Sequence, residues 1–354
     1  MKEFFSKIHY ESELSFAEKA ASFVLSLGVP FYWVGSQFKN FLYDNKILTT
    51  EKIERAFVIS IGNITTGGVG KTPIVAQIAN YISDKKNVAI ISRGYGGTLD
   101  NKQVNVIKTD GKINFDALQA GDEPFWLCQN TFDKVCVLTS KNRIAAAKYA
   151  VEKLNCEVLI LDDGFQHRKI VRDLDVVVID AYKLFGNGSI LPLGPLREPL
   201  FNIKRAEKFI IANKNISEKA FENVKEIIKK TYKKPVVTAG FKPEKIYDVK
   251  TEFELQQKDG NIGAFCGIGQ PMSFYAYLKN YHIKFIKTFD DHHTYTQSDV
   301  DLLVDAAKRN KINVLITTEK DAVKLSGFNF NEIQICALKL KSDLNVEELL
   351  SEKA

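Results

Sequence analysis

The chain has 354 residues, of which 45% are hydrophobic and 26% charged, with 21 Gly and 9 Pro. This composition excludes collagen-like, low-complexity and wholly disordered proteins, and the length is typical of a globular protein of about two domains. A formal net charge of +6 favours an anionic partner without choosing among a nucleotide, a nucleic acid and a membrane surface. The five cysteines are scattered without a C-x-x-C pair, which predicts a reducing, cytosolic environment.

Residues 1–45 are predicted to form an amphipathic helical region. Apolar residues recur at helical spacing over 14–25 and again, rich in aromatics, over 31–43, while Gly28 and Pro30 interrupt the pattern between them. Two interpretations stay open, and they are compatible: a pair of helices packed on the domain, or a surface that lies in the headgroup layer of a membrane. The sequence contains neither a run of about 18 apolar residues nor a signal-peptide pattern, so no membrane-spanning segment is expected.

Beyond residue 56 the chain alternates short apolar runs with helical stretches. Runs without polar alternation are typical of strands buried on both faces of a parallel sheet, so the fold class is predicted to be α/β. The runs lie at 56–62, 87–92, 135–139, 158–161, 176–179 and 209–211, and after a basic helix near 217–234 they resume at 236–239, 263–266 and 314–317. A smaller second α/β lobe is therefore expected over residues 235–354.

The strongest motif is a glycine-rich turn between the first predicted strand and a predicted helix. It reads Thr65-Thr66-Gly67-Gly68-Val69-Gly70-Lys71-Thr72. In a P-loop of this kind the backbone N–H groups surround phosphate oxygens, Lys71 supplies an ammonium for the outer phosphates, and Thr72 offers a hydroxyl to Mg²⁺. Thr65 departs from the general consensus, which has Gly there. We expect a P-loop NTPase-like parallel sheet with flanking helices over residues 46–234.

Paired acids at two places are candidates for binding a metal ion and activating an acceptor hydroxyl. Asp162 and Asp163 follow an apolar strand, a pattern that brings a metal-organising carboxylate to the carboxyl edge of a sheet; a strand-end turn is the alternative. Asp122 and Glu123 lie between two predicted strands, and Asp122 is a candidate general base, with an ordinary acidic loop as the alternative. His292, one of two adjacent histidines, is a candidate partner for that base, and a surface histidine pair is the alternative.

Eight short motif blocks follow one another in order from about residue 61 to 324. They are I-G-N-I-T-T-G-G-V-G-K-T-P (61–73), S-R-G-Y-G-G (92–97), A-G-D-E-P (120–124), L-D-D-G-F-Q-H-R (161–168), L-P-L-G-P-L-R-E-P-L (191–200), G-I-G-Q-P (267–271), D-H-H-T-Y-T (291–296) and T-T-E-K-D-A-V-K (317–324). Together these blocks resemble the tetraacyldisaccharide 4'-kinase family, the lipid A 4'-kinases of Gram-negative bacteria. Thr65 looks like the family's own form of the loop, whereas Gln270 stands where the family pattern leads us to expect Asn.

The resemblance implies a kinase that uses ATP and Mg²⁺ to phosphorylate the 4'-hydroxyl of an acylated glucosamine disaccharide 1-phosphate, giving lipid IVA. It implies a peripheral protein on the cytoplasmic face of the bacterial inner membrane, held there by its N-terminal region. Lys71 and Thr72 would bind phosphates and Mg²⁺, Asp122 would be the catalytic base and His292 its partner. The acids that organise the metal and the cleft would be Glu123, Asp162 and Asp163, and other motif positions in the site are Arg93, Gln166, His167, Arg197 and Glu198.

Because a four-chain lipid leaves a bilayer only at a cost of about 0.8 kcal/mol per CH₂, the enzyme is expected to reach its substrate at the membrane. We expect residues 31–43, with Lys39 and Lys46, to contact lipid. A base assembled from Asp122 and the distant His292 is expected to be complete only when the two lobes approach. The alternatives are a P-loop kinase acting on a soluble substrate and a nucleotide-dependent switch; no motif that interleaves basic and aromatic residues suggests a nucleic-acid partner.

Overall fold

The computed structural model describes residues 2–11, 13–213, 217–255, 261–291, 293–325 and 327–351. The strands in these ranges are β1 Phe57–Gly62, β2 Val88–Ser92, β3 Asn105–Thr109, β4 Lys112–Ile113, β5 Val135–Thr139, β6 Val158–Asp162, β7 Leu174–Asp180, β8 Lys208–Asn213, β9 Val236–Asp248, β10 Ile262–Cys266, β11 Ile283–Thr288, β12 Val314–Thr318 and β13 Gln334–Ser342. The helices are α1 Lys2–Tyr10, α2 Phe16–Asp44, α3 Lys71–Ser83, α4 Ala117–Ala120, α5 Asp122–Asn130, α6 Arg143–Leu154, α7 Glu218–Tyr232, α8 Pro271–Tyr277, α9 Gln297–Arg309, α10 Glu319–Ala322 and α11 Val346–Leu350, with a 3₁₀ helix at Leu200–Arg205.

All the strands described belong to one continuous sheet, in the order β11-β10-β12-β13-β9-β8-β7-β1-β6-β2-β5-β3-β4. The apolar runs form its centre, where β9, β8, β7, β1, β6, β2 and β5 are parallel neighbours. The side chains of β1, β2, β5, β6, β7 and β8 are buried on both faces almost throughout, as the lack of polar alternation predicted, whereas β9 alternates buried and partly exposed residues. The predicted α/β class is confirmed.

Strand β9 joins the N-terminal and C-terminal halves of the sheet. Its first part, 236–240, pairs in parallel with β8, and its remainder, 241–248, pairs antiparallel with β13. Beyond β13, the strands β12, β10 and β11 are again parallel. One strand therefore belongs to both halves of the sheet. The lobe boundary expected near residue 235 stays a prediction.

A single helix, α2, replaces the expected pair of N-terminal helices. It runs for 29 residues through Gly28 and Pro30, although a proline inside a helix removes one backbone hydrogen bond and costs about 3 kcal/mol. Contacts on both sides of the proline offset that cost. A capping box between Ser15 and Glu18 starts the helix, Gly28 packs on Pro192, and further along the Tyr32 hydroxyl donates to a backbone carbonyl of the domain. The predicted interruption was wrong because tertiary packing overrides local propensity here.

The outward face of α2 carries an apolar stripe, defined here as Phe16, Phe23, Leu27, Phe31, Val34, Phe38 and Phe41. These residues recur at intervals of three, four or seven, which places them on one side of a helix. Phe31 is 81% exposed and Phe38 60% exposed. None of the described helices combines the length and the apolarity that a membrane crossing requires.

Candidate active site

The P-loop occupies the connection between β1 and α3, at the carboxyl edge of the sheet. Gly67 and Gly70 adopt φ of +90° and +88°, a backbone conformation that disfavours larger residues. Among the described residues, no atom lies within 4 Å of where a Cβ would stand on Gly67. A glycine-rich turn with space beside it at a helix N-terminus is the kind of backbone that binds a phosphate group.

The first residues of this loop are held by the segment at 195–197. The Thr66 N–H donates to the Pro195 carbonyl at 2.7 Å, and the Arg197 N–H donates to the Ile64 carbonyl at 2.8 Å. Thr65 is buried and forms a β-bridge with Leu196. A residue in such a bridge has extended backbone that does not require glycine, which explains why Thr replaces the consensus Gly.

Lys71, the first residue of α3, lies between two oxygen groups. Its Nζ is 2.8 Å from Asn63 Oδ1 and 3.2 Å from Asp163 Oδ1. Asn63 is fully buried and donates in turn to the Thr65 carbonyl at 2.7 Å. Asn63 was not predicted as a site residue, although it lies inside the first motif block. These contacts position the lysine ammonium beside the glycine-rich turn.

The two acids at the end of β6 have opposite environments. Asp162 is buried, and this burial, together with the negative charge of Glu123, raises the pKa of its carboxyl. Asp163 has a φ of +52° and turns toward Lys71 and Arg197, whose Nη1 lies 2.7 Å from its Oδ2. Partial burial alone would raise the pKa of Asp163, but those two cations outweigh it and hold the pKa below its usual range. The charges of Lys71 and Arg143 act on Asp162 in the opposite direction without outweighing its burial, whereas Asp163 forms direct ion pairs.

Asp122 and Glu123 begin α5 and face the C-terminal half of the chain. Asp122 Oδ2 lies 2.9 Å from Lys324 Nζ, and Glu123 Oε1 lies 3.3 Å from Lys320 Nζ. Gly121 precedes them with a φ of +93°, and a Cβ there would stand 2.6 Å from the Tyr95 carbonyl. Neither lysine was predicted as a site residue. The available signal was their spacing of four residues inside a motif block.

His292, the expected partner of Asp122, lies outside the described residues. Its neighbour His293 stacks on Phe289 and places its Nε2 3.1 Å from Asp299 Oδ2. The backbone carbonyl of His293 accepts a hydrogen bond from Lys324 Nζ at 3.1 Å. This part of the C-terminal half is therefore linked to Asp122 through one lysine.

The remaining motif residues divide into those at the P-loop and those in the supporting structure. Gln166 donates to the Asn63 carbonyl at 2.9 Å and to Glu198 at 3.2 Å. Glu198 is buried, receives two further bonds from Arg205 at 2.8 and 2.9 Å, and accepts a fourth from Asn40 of α2. Glu198 thus ties the N-terminal helix to the site, and its oxygens are occupied by protein donors.

Arg93 and His167 are two predicted site residues that lie outside this hydrogen-bond network. Arg93 follows β2, is exposed, and makes no ion pair within the ranges that the structure describes. Burial, reinforced by Arg143 and Arg172, lowers the pKa of His167 to about 3, and its enclosed Nε2 has no hydrogen-bond partner in the part of the chain that the structure describes. His167 is therefore neutral at physiological pH, and Arg93 is the more accessible of the two.

Comparison with known proteins identifies the family. A family model described as tetraacyldisaccharide-1-P 4'-kinase matches residues 21–354. The chain belongs to this family. A tetraacyldisaccharide 4'-kinase of Halothermothrix orenii is 35% identical over 329 residues, covering 88% of this chain and 85% of the relative. That of Desulfotalea psychrophila is 38% identical over 276 residues, covering 77% and 79%.

A solved structure agrees with this assignment. The family's enzyme from Aquifex aeolicus, crystallised in complex with ATP, is 31% identical and superposes with a TM-score of 0.70, covering 92% of this chain and 96% of that one. These relationships confirm the expected family, the expected fold class and the expected ATP-dependent lipid A kinase activity. α1 and the first residues of α2 precede the matched region.

The donor set in this kinase fits Mg²⁺ held mainly through nucleotide phosphates. Kinase Mg²⁺ sites use one or two carboxylates, with phosphate oxygens and water completing the octahedron. Among the described residues, no group of three or more His, Cys, Asp and Glu side chains forms a complete metal site. The buried Asp162 near Glu123, with Thr72 at the start of α3, supplies the partial oxygen set that such an ion requires.

Proposed function

We propose that this kinase transfers the γ-phosphoryl group of ATP to the 4'-hydroxyl of a tetraacyldisaccharide 1-phosphate, using Mg²⁺, at a membrane surface. The observation that carries the proposal is the meeting of Lys71, Asp163 and Arg197 beside the open P-loop, with Asp122 and Glu123 at the neighbouring edge of the sheet. Phosphoryl transfer depends on neutralising charge and positioning the reactants, and these residues supply both.

The P-loop and its cations bind the nucleotide. Residues Thr65 to Thr72 surround the phosphates with backbone N–H groups, and Lys71 leaves Asn63 and Asp163 to contact the outer phosphate oxygens. Arg197 is near enough to stabilise negative charge that develops in the transition state. Arg93, exposed at the end of β2, serves as a second cation for the substrate phosphates.

Thr72, Glu123, Asp162 and Asp163 are the proposed residues for Mg²⁺. The ion supplies neutralisation of the β- and γ-phosphate oxygens. Asp162 supports this role because a buried carboxylate with a raised pKa gains most from an incoming cation. Asp163 pairs with Arg197 through Oδ2 and with Lys71 through Oδ1, so the departure of Lys71 toward the phosphates leaves Oδ1 available for the ion.

Asp122 is the proposed general base, with His292 as its partner. The carboxylate accepts the proton of the 4'-hydroxyl while the hydroxyl oxygen forms a bond to the γ-phosphorus. The bond between the γ-phosphorus and the β-γ bridging oxygen breaks at the same time and releases ADP. The carbonyl of His293 accepts a hydrogen bond from Lys324, and Lys324 also pairs with Asp122. This placement supports a base assembled from both halves of the chain.

The apolar stripe of α2 is the proposed membrane-contacting surface, at the cytoplasmic face of the inner membrane. A helix with an exposed aromatic face and lysines at its borders lies well in the headgroup layer. Lys46 is exposed beyond the end of α2, whereas Lys39 donates to the Gln166 carbonyl at 3.3 Å and so faces the site. On the inner face of α2, the Tyr32 hydroxyl donates to the Arg197 carbonyl and Asn40 donates to Glu198. These two contacts bring the membrane-contacting helix close to the active site.

The test is transfer of γ-labelled phosphate from ATP with Mg²⁺ to the acylated disaccharide 1-phosphate in detergent micelles. The intact chain is expected to label the lipid, whereas Lys71→Ala and Asp122→Asn are expected to reduce labelling at least about 100-fold. Lys242→Met, at a largely exposed surface position, is the control. ATP hydrolysis without labelled lipid would instead support a nucleotide-dependent switch and would overturn the proposal.

A further inference from the structure

Lys324 is a buried cation of the C-terminal half that pairs with a carboxylate of the N-terminal half. Its side chain is only 9% exposed, and its Nζ lies 2.9 Å from Asp122 Oδ2, 3.1 Å from the His293 carbonyl and 4.0 Å from Asp321 Oδ1. A buried ammonium is costly unless oxygens surround it, so these three contacts hold it in one place.

Asp321 gives this lysine a rigid base. It is fully buried, and its Oδ2 accepts hydrogen bonds from the Gly267 N–H at 2.9 Å and the Thr318 hydroxyl at 2.7 Å. These bonds join the end of β10 to the start of α10. The position of Lys324 is therefore fixed by the C-terminal half, not by Asp122 alone.

Lys320 repeats the arrangement four residues earlier. It lies on α10, whereas Lys324 lies in the turn just after this helix, and both ammonium groups contact acids in the first turn of α5. Lys320 meets Glu123, and Lys324 meets Asp122. Lys320 is 26% exposed, so its pair with Glu123 is the more solvated of the two.

We propose that Lys324 is a positioning residue for phosphoryl transfer. It fixes the Asp122 carboxylate through Oδ2 and sets the distance between α5 and the chain segment at His293. The proposal rests on the proposed function, because it acts through Asp122 as the base. A misplacement of about 1 Å in a reacting group can lower the rate about 100-fold, so a side chain that only orients the base has a measurable effect.

The test compares Lys324→Met and Lys324→Arg with the intact chain in the lipid-labelling assay. Lys324→Met is expected to lower kcat about 10- to 100-fold and to change KM for ATP and for the lipid less than threefold. Lys324→Arg keeps a cation within reach of Asp122 and is expected to recover kcat to within about tenfold of the intact chain. Lys242→Met removes an exposed lysine of the same half and is expected to leave kcat unchanged.

A double-mutant cycle separates this inference from the function on which it rests. If Lys324 acts through Asp122, adding Lys324→Met to Asp122→Asn lowers kcat less than threefold further. An equal loss in both backgrounds, or an intact kcat in Lys324→Met, would overturn the positioning role alone. Full activity of Asp122→Asn would overturn the proposed base. Should Lys324→Met not fold, a folded Lys324→Arg with kcat more than about 100-fold below the intact chain contradicts the proposal.

Discussion

Replacing two phenylalanines of the apolar stripe by serine is expected to weaken binding to lipid vesicles by about 30-fold, or about 2 kcal/mol. Phe31 and Phe38 are 81% and 60% exposed, so both rings are available to a membrane without unfolding. Fully burying a phenylalanine is worth about 1.5–3 kcal/mol. Scaling this range by the exposed fractions gives about 2–4 kcal/mol for the pair, and the lower end applies because an interfacial helix inserts only to the headgroup boundary.

The assay is co-sedimentation of the full chain with vesicles of phosphatidylethanolamine and phosphatidylglycerol, across a range of lipid concentrations. The matched control is Phe253→Ser, which removes a ring that is 77% exposed but lies in the C-terminal half, away from α2. The control is expected to bind vesicles as the intact chain does. Equal binding by Phe31→Ser/Phe38→Ser and the intact chain, with both proteins folded, would refute the reasoning.

Three other substitutions give separate checks of the fold and the site. Gly164→Ala places a Cβ 2.5 Å from Ser60 Oγ, so urea unfolding should reveal a loss of about 2 kcal/mol; an unchanged midpoint would contradict the packing. Burial raises the pKa of Glu319 from 4.5 to about 7, so the unfolded state binds fewer protons between these pH values and stability falls as pH rises through them. This fall in the free energy of unfolding amounts to about 3 kcal/mol, and Glu319→Gln should remove it. If the free energy of unfolding changed with pH equally in the two proteins, the raised pKa of Glu319 would be contradicted. Arg197→Gln loses the 2.7 Å pair with Asp163 and should lower kcat at least about tenfold without changing the thermal midpoint by more than a few degrees; an unchanged kcat would remove Arg197 from the mechanism.

The features that sequence predicted well are those set by neighbouring residues. The P-loop is local: a strand of Val and Ile, glycines at the turn and a helix that begins at Lys71 lie within one short stretch. The buried parallel strands were equally visible, because each run is apolar on both faces. Even the unusual Thr65 has a structural explanation in its bridge to Leu196, although that bridge links distant parts of the chain.

The features that sequence missed depend on contacts between distant residues. Pro30 interrupts a helical pattern by any local rule, yet α2 passes through it because the domain holds the helix on both sides. Likewise, nothing near Asp122 indicates that Lys324 is its partner. Glu198 was predicted as a cleft residue, and its bonds to Arg205 and Asn40 could not be read from the motif that contains it.

The continuity of the sheet explains why the acids and lysines meet across so much sequence. β9 is parallel to β8 along its first part and antiparallel to β13 along its second part, so β13 and β12 run opposite to β1 and β6 and their carboxyl ends point back toward the carboxyl ends of those strands. Because β12 leads directly into α10, Lys320 of α10 and Lys324 just beyond it lie at the carboxyl end of β12, where they meet the first turn of α5. The distance between Asp122 and Lys324 is thus set by strand pairing, and a change in the twist of β9 would alter this contact before it altered the P-loop.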